Sequence, residues 1–202
     1  MNILQIKCIL KNAARVYKEH FLNCSFLIVY IENTQVKYKE VFCSQSNFMH
    51  LTGLNIKMNP NKFFDLCYAG YLPDSLVVMK KGGTTRQKLN VIERMDQIVT
   101  SPTMIGDYNQ KGLLLNADFL IGDTRATLSL AFDIKEGEEK HHPVSLLEGD
   151  VKDFIATPFK VAAILKKSFD SQKYMNRTFV AKDIDFDDLA ASCPEILAKI
   201  QQ

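Results

Sequence analysis

The histidine at position 50 is the side chain of this sequence best suited to proton transfer near neutral pH. His50 lies in the stretch NFMHLTGL, residues 47–54, in which four of the eight residues are large and apolar. An unperturbed imidazole has a pKa of about 6.5, so it can take up or release a proton at physiological pH. The alternative to a proton-transfer role is that His50, in this apolar stretch, is a histidine packed in the core. Because Thr52 and Gly53 follow at once, we expect His50 at the end of an element, near the surface.

The segment KKGGTTRQK, residues 80–88, has the composition of a phosphate-binding loop. Its adjacent glycines let backbone amides approach a ligand closely, and the helix expected after them offers free N–H groups at its positive end. The segment lacks the G-x-x-x-x-G-K-[ST] spacing of the P-loop, so an ordinary capped loop is the alternative. Its candidate substrate-binding residues are Lys80, Lys81, Thr84, Thr85, Arg86 and Lys88.

Positive charge is clustered in this chain, although the formal net charge is only +2. Residues 80–94 contain five Lys or Arg side chains against one Glu, and residues 160–177 contain five against one Asp. Residues 182–195 reverse the balance, with five acidic side chains against one Lys. Two basic segments are consistent with a protein that binds a polyanion. They are equally consistent with solvated faces of helices and strands.

The spacing of apolar residues predicts the elements that must position these side chains. Apolar residues recur at intervals of three and four between residues 2 and 20, which predicts an amphipathic helix. Two strand-like runs on either side of Glu32-Asn33-Thr34-Gln35 predict a β-hairpin. Farther along the chain we expect a helix at 60–69 between Asn59 and Gly70, a strand at 76–79, and a helix from 84 to about 97.

From about residue 103 onward, turn signals recur roughly every ten residues, which predicts an antiparallel meander. In one of its strands Leu128 and Leu130 share a face, because side chains alternate along a strand. Thr127 and Ser129 then lie on the opposite face, with Arg125 in the same phase just before them. These three side chains are the strongest candidates that the sequence offers for a polar functional surface on a sheet.

The predicted fold class is α+β, with helices packed against a central antiparallel sheet and with an N-terminal helix followed by a β-hairpin. The last elements should be a short helix at 150–157 and strands at 161–167 and 176–181. We expect one domain over residues 1–182 and an acidic, helical C-terminal tail over residues 183–202.

Composition limits the class of protein. With 202 residues, 47% of them hydrophobic and 24% charged, the chain resembles an ordinary globular domain. Its five cysteines never have C-x-x-C spacing, and no signal peptide is apparent, so we expect a cytoplasmic protein without a membrane partner. The His141-His142 pair has no obvious third ligand, and dinucleotide fingerprints are absent. We therefore expect neither a metal nor another cofactor.

Several motifs together carry a resemblance to a known family. NFMHLTGL, KKGGTT, MIGDYN, IGDT and VAAILKK resemble the phage barnase–EndoU–colicin–RelE-like nucleases, in particular their fourth group, over residues 8 to 182. F-x-H-L-T-G is the most specific of these motifs. The resemblance implies a barnase/RelE-like fold and a metal-independent ribonuclease-like activity in bacterial toxin or phage-conflict settings. By motif, it also points to His50 and Thr52, to Lys81, Thr84 and Thr85, and to Lys166 or Lys167.

Cleavage of RNA without a metal makes three chemical demands. A base must take a proton from the 2′-hydroxyl, an acid must protonate the leaving 5′-oxygen, and cations must stabilise the phosphorane. We predict that His50 is the acid or base, that Arg125 and Lys166 stabilise the phosphorane, and that Thr127 orients the phosphate. We expect Thr52, Lys167 and the residues selected from 80–88 to bind the RNA.

An alternative function fits the same residues. The sequence offers no obvious acid–base partner for His50, which is compatible with a catalytically inactive nuclease-fold module. Such a module would bind RNA or a protein partner, and an immunity or antitoxin protein is the partner that the family suggests. The sequence does not predict the RNA target or the oligomeric state.

Overall fold

A computed structural model describes residues 1–110, 115–125 and 127–200 of the chain. The described residues form seven α-helices: α1 (Ile3–His20), α2 (Asn47–Thr52), α3 (Pro60–Ala69), α4 (Thr84–Val91), α5 (Gln97–Thr100), α6 (Phe186–Ala191) and α7 (Pro194–Lys199). They also form eight strands: β1 (Cys24–Glu32), β2 (Gln35–Cys43), β3 (Thr103–Asp107), β4 (Phe119–Asp123), β5 (Leu128–Asp133), β6 (His142–Glu148), β7 (Phe159–Ser168) and β8 (Asn176–Val180).

The strands form one curled antiparallel sheet. Its order is β2-β1-β7-β3-β4-β5-β6, and β8 also pairs with β7. The sheet curls far enough for its two ends to meet at His141, whose carbonyl accepts a hydrogen bond from the Phe42 N–H at 2.7 Å. The His141 N–H in turn donates to the Glu40 carbonyl at 3.1 Å. The predicted α+β fold class, with an N-terminal helix and a hairpin on an antiparallel sheet, is confirmed.

The N-terminal helix has a complete capping box. The Asn2 side chain accepts a hydrogen bond from the Gln5 N–H, and the Gln5 side chain accepts one from the Asn2 N–H. The helix buries a stripe of residues that faces the sheet and α3: Ile6, Leu10, Ala13, Ala14 and Tyr17. The Tyr17 ring lies 5.4 Å from the Phe48 ring, so α1 directly anchors the helix that carries His50.

The sheet is covered on both faces. Helices α1 to α5 pack on one face and form the largest cluster of buried side chains. Along β1, Leu27 and Val29 point to the opposite face, where they pack with Phe186 and Ile196 of the last two helices. The tail predicted from residue 183 is thus helical, and its helices pack directly on β1 and β7. The division at residues 182 and 183 into domain and tail stays a prediction.

Three local predictions were wrong. The strand expected at 76–79 is a 3₁₀ turn at Asp74–Leu76 followed by one isolated bridge between Leu54 and Met79. The helix expected from 84 to 97 ends at Val91 and continues as a 3₁₀ turn and α5. In a 3₁₀ turn, residues three positions apart lie on the same side. The apolar spacing that predicted an α-helix therefore also fits this turn. The helix expected at 150–157 is a 3₁₀ turn at Val151–Asp153.

Candidate functional site

Helix α2 holds His50 at the protein surface. Two of its side chains, Phe48 and Leu51, are fully buried and fix the helix, whereas His50 is exposed in its last turn. Gly53 then ends the helix in the left-handed region at a φ of 70°. His50 is therefore not a core histidine, and its position at the end of an element agrees with the sequence-based expectation.

Two buried threonines join the motif around His50 to the basic loop at 80–88. The Thr52 hydroxyl donates to the Met49 carbonyl at 2.8 Å and closes α2. The Thr85 hydroxyl donates to the Gly53 carbonyl at 2.6 Å and accepts from the Lys80 N–H at 3.0 Å. Both threonines are 0% exposed. They position the two motifs, and neither is accessible to a substrate in this structure.

Neither threonine of the basic loop caps the start of α4. The N-cap is Gly83 at a φ of 84°, and no side chain in the described part of the protein caps the helix. Thr85 instead uses its hydroxyl in the contact with Gly53, and Thr84 is exposed. The exposed residues of this loop, which include Lys80, Lys81 and Arg86, remain available to a ligand.

Lys88 connects α4 to both α2 and β6. Its Nζ donates to the Ser145 hydroxyl oxygen at 2.8 Å and to the His50 carbonyl at 3.2 Å. Its stem passes directly over Gly53, where an added Cβ would lie 2.8 Å from the Lys88 Cδ. Glycine at position 53 therefore serves two purposes, because it permits the positive φ and leaves room for the lysine.

The surroundings of Lys88 and His50 change the proton affinity of both side chains. Burial, together with the nearby Lys80 charge, lowers the pKa of Lys88 to about 8. Partial burial also lowers the pKa of His50, and the positive charges of Lys88, Lys135 and Lys80 add to this effect. At neutral pH the imidazole is thus mainly unprotonated, while the lysine is mainly protonated.

These side chains line a cleft of about 760 Å³. Its polar part includes His50, Asn55, Lys80, Thr84, Gln87, Lys88 and Ser145. The remaining walls are largely apolar and include Leu54, Ile56, Leu147 and Phe154. One acidic residue, Glu148, also lines the cleft and accepts hydrogen bonds from the Asn90 amide at 3.2 Å. A concave site with few convergent polar groups and perturbed pKa values is typical of an active site.

His142 is a second imidazole near His50 that sequence reasoning missed. It begins β6, against which α2 packs. Burial lowers the pKa of His142, with Lys135 and His50 among the further causes. Its Nδ1 is buried and has no hydrogen-bond partner among the described residues, and Glu138 Oε2 lies 3.5 Å away. The apolar run after His142 was the available signal for a strand start.

The neighbouring His141 has a structural position at the seam of the sheet. Its Nε2 lies 3.1 Å from an oxygen of Asp118, and its ring packs edge-on against Phe119 with centroids 4.9 Å apart. The two neighbouring histidines are thus divided between the seam of the sheet and the surroundings of His50.

Arg125 and Thr127 do not line the cleft in the described part of the chain. Arg125 is exposed in the turn before β5. The Thr127 hydroxyl donates to the Asp123 carboxylate at 2.6 Å, which fixes this turn. Ser129 is 0% exposed and donates to the Gly149 carbonyl at 3.3 Å. Ser129 is therefore covered by the segment after β6, whereas Arg125 of the same predicted face is exposed.

The two lysines near the end of β7 also lie apart from the cleft. Lys166 Nζ donates to the Glu19 carbonyl at 3.2 Å, near the end of α1, and lies 6.0 Å from the centre of the Phe26 ring. Lys167 points to the other face, where its Nζ donates to the Gln172 carbonyl at 2.9 Å. Of these two side chains, only Lys167 lines a depression, a second and smaller one. The structure thus separates Lys166 from His50.

Within residues 1–110, 115–125 and 127–200, no group of three or more His, Cys, Asp or Glu side chains is arranged to hold a metal ion. Nor does any helix in those ranges combine the length and the apolar character needed to cross a membrane.

Comparison with known proteins gives one match. A family model described as phage-Barnase-EndoU-ColicinE5/D-RelE like nuclease4 matches residues 9–183. No curated protein and no solved structure matches the chain. The matched residues include the motif around His50, the basic loop, and the strands that form the cleft.

Proposed function

The chain belongs to the phage barnase–EndoU–colicin E5/D–RelE-like nuclease family, fourth group, and on this premise we propose that it is a metal-independent endoribonuclease. Its active site is the cleft between α2, α4 and β6. The observation that carries the proposal is the position of the Lys88 ammonium, which lies in the same cleft as His50, donates to the His50 backbone carbonyl at 3.2 Å and has a pKa of about 8. A partly buried lysine with a lowered pKa is costly to a fold, and such groups cluster at functional sites.

The directions of the two pKa shifts assign the proton-transfer roles. His50 is mainly neutral at pH 7 and therefore serves as the general base, since its pKa is lowered. Lys88 is mainly protonated at pH 7 and, with a pKa of about 8, serves as the general acid. Lys88 thus supplies the second proton-transfer group, for which the sequence offered no obvious partner of His50.

The reaction proceeds by attack within the substrate. His50 removes the proton from the 2′-hydroxyl, and the resulting oxygen attacks the adjacent phosphorus. The bond from phosphorus to the 5′-oxygen breaks, and that oxygen receives the proton of the Lys88 ammonium. The products are a 2′,3′-cyclic phosphate and a 5′-hydroxyl. Lys80 and Lys135, whose charges act on His50, stabilise the negative charge of the phosphorane.

The family description also supports a biological setting. It names phage, colicins and RelE, and on that ground we extend the proposal to a role in bacterial or phage conflict. An immunity or antitoxin partner and a cytoplasmic location belong to the same proposal.

The test compares purified wild-type protein with His50→Ala on a labelled oligoribonucleotide in EDTA. His20→Ala is the matched control, because His20 ends α1 and is not among the described residues that line the cleft. We expect His50→Ala to cleave at least about 100-fold more slowly, the usual effect of removing a general base, and His20→Ala to keep the wild-type rate.

Two outcomes would contradict parts of this proposal. Equal rates for wild type and His50→Ala would remove the role of His50. RNA binding with a steep salt dependence but no cleavage by any variant would favour the inactive binding module.

A further inference from the structure

A second depression lies beside the cleft and contains an exposed aromatic ring. It has a volume of about 450 Å³, and its lining includes Phe42, Phe169, Ser44, Lys140 and Lys167. It shares two elements with the cleft. Helix α2 contributes Asn47 to this depression and His50 to the cleft. Strand β6 contributes His142 to the depression and Ser145 to the cleft. A chain bound across α2 and β6 would therefore reach both.

Phe169 is presented to solvent on a fixed backbone. Its side chain is 70% exposed, although its N–H donates to the Asn23 carbonyl at 2.9 Å. The ring lies 5.7 Å from the Phe42 ring at an angle of 48°, which supports it from one side. Aromatic side chains held in this way are the platforms on which proteins stack the bases of single-stranded nucleic acids.

Cations connect the depression to the cleft. Lys135 lines the depression, and its charge lowers the pKa of both His50 and His142. Lys140 Nζ lies 3.3 Å from the Ser25 hydroxyl oxygen, inside the depression. Lys80 and Lys88 continue the positive charge into the cleft. The spacing of cations around α2 suits a phosphate backbone that passes from one depression to the other.

The depression also contains groups that suit the edge of a base. Glu138 and Glu139 line it together with the hydroxyl groups of Ser44 and Ser46. Carboxylates accept hydrogen bonds from the exocyclic amino groups of bases, and hydroxyl groups can both donate and accept. Two carboxylates would oppose a site for a bare phosphate, so the base of a nucleotide fits the depression better than its phosphate.

We propose that this depression binds one base of a single-stranded RNA, stacked on Phe169, next to the phosphate held in the cleft. The inference rests on the proposed function and names a position for a nucleotide that flanks the cleavage site. It assigns Phe169 to substrate binding and leaves the chemical step to His50 and Lys88.

The test uses an RNA of ten nucleotides in which a single abasic position is moved along the chain. Affinity is measured by fluorescence anisotropy in a His50→Ala background, so that binding is recorded without cleavage. Three proteins are compared: this background alone, with Phe169→Ala, and with Tyr71→Ala. Tyr71 is the matched control, because it is 77% exposed and lies outside the described lining of both depressions.

We expect one abasic position to weaken binding by about tenfold when Phe169 is present, since stacking of a base contributes about 1–3 kcal/mol. In Phe169→Ala, an abasic site at the same RNA position should not change the affinity. In Tyr71→Ala it should weaken binding by the full factor of about ten. Identical abasic profiles with and without Phe169 would overturn the proposal.

Cleavage by the wild-type protein separates this inference from the proposed function. If the wild type cleaves the intact RNA but the effect of the abasic position on affinity does not depend on Phe169, the base site is contradicted and the nuclease function is supported. If the effect of the abasic position depends on Phe169 but the wild type does not cleave, the base site is supported and the nuclease function is contradicted.

Discussion

At the scale of single residues, Lys88 shows a conflict between stability and chemistry. The side chain is largely withdrawn from water, and its two hydrogen bonds to Ser145 and the His50 carbonyl do not fully replace its hydration. The consequence is a pKa of about 8, well below the usual value for a lysine side chain. An apolar side chain of similar length would suit the same position better, so we attribute the lysine to function.

Lys88→Met should make the protein more stable and inactive. The lowered pKa corresponds to a penalty of up to about 3 kcal/mol for the charged form in the folded state. After subtraction of about 1 kcal/mol for each lost hydrogen bond, we expect the free energy of unfolding at pH 7 to rise by about 1 kcal/mol. Urea denaturation measures this change, and the cleavage assay measures the loss of activity.

The same pKa predicts how stability depends on pH. Between pH 8 and 10.5 the folded wild-type protein has released the Lys88 proton while the unfolded chain keeps it. The free energy of unfolding of the wild type should therefore rise relative to that of Lys88→Met across this window. A Lys88→Met protein that is less stable at pH 7 would indicate that Lys88 is structural.

Activity should depend on pH in two steps. The rate constant kcat/KM should rise with pH through the lowered pKa of His50, which must be unprotonated to act as the base. It should fall near pH 8, where Lys88 loses the proton that it must donate. The measurement is kcat/KM between pH 4.5 and 10 for wild type and Lys88→Arg.

An arginine at position 88 keeps its charge over this range. Lys88→Arg should therefore lose the fall near pH 8, although its overall rate will be lower because arginine is a poor proton donor. A fall at the same pH in both proteins would show that another group titrates there.

At the scale of elements, the candidate site depends on the junction between α2 and α4. The Gly53 carbonyl accepts a hydrogen bond from the Thr85 hydroxyl, and the Lys88 stem occupies the space that a side chain at position 53 would need. The motif around His50 and the basic loop are thus two halves of one packed unit. Their separate appearance in the sequence gave no sign of this contact.

Gly53→Ala should reduce cleavage by displacing Lys88. The added Cβ would meet the Lys88 Cδ at 2.8 Å and the Thr85 Cα at 3.2 Å. Gly137→Ala is the matched control, because Gly137 has a φ of 82° and no atom of the described residues lies within 4 Å of the added Cβ. Both variants should lose about 1–2 kcal/mol of stability through backbone strain.

Only Gly53→Ala should also lose most of its cleavage activity, measured as kcat/KM under conditions where both variants are folded. Equal activities for the two variants would contradict the argument that Gly53 makes room for Lys88.

The elements that the sequence predicted well are those with local signals. Helix α3 has the predicted bounds of 60–69, since Asn59 accepts two N–H groups at its start and Gly70 adopts a φ of 81° at its end. The hairpin likewise has its turn at Asn33 and Thr34, both with positive φ. The strand expected at 76–79 failed because Leu76, Val77 and Met79 pack against the core without a continuous strand partner.

At the scale of the whole molecule, the curled sheet brings together segments that are distant in sequence. Strand β7 lies between β1 and β3, and the sheet ends meet at His141, which places the loop with Lys135 beside α2. The motif residues His50 and Lys88 could be chosen from sequence. The contributions of Lys135, His142 and Ser145 could not, because they depend on strand order and on the closure of the sheet.

The two faces of the sheet should respond differently to mutation. Phe186 is 3% exposed and packs in the cluster with Leu27 and Val29, on the face opposite His50. We expect Phe186→Ala to lower the free energy of unfolding by about 3 kcal/mol and to leave kcat/KM unchanged at a temperature where the protein is folded.

Lys160→Ala is the control for surface contacts of the tail, since its pair with Asp183 is exposed to solvent and should contribute little to stability. A wild-type stability for Phe186→Ala would contradict the packing of the tail. If Phe186→Ala lost cleavage activity while it remained folded, the result would show that the tail contributes to the active site.

The central claim is that His50 and Lys88 cleave RNA through the 2′-hydroxyl of the substrate. The most direct measurement uses a DNA oligonucleotide that contains one ribonucleotide, incubated in EDTA with wild type, His50→Ala and Lys88→Met. The account predicts one cut, directly 3′ of the ribonucleotide, with a 2′,3′-cyclic phosphate as product and a loss of at least about 100-fold in each variant. Cleavage of the all-DNA oligonucleotide at the same rate, or an unchanged rate in His50→Ala, would contradict it.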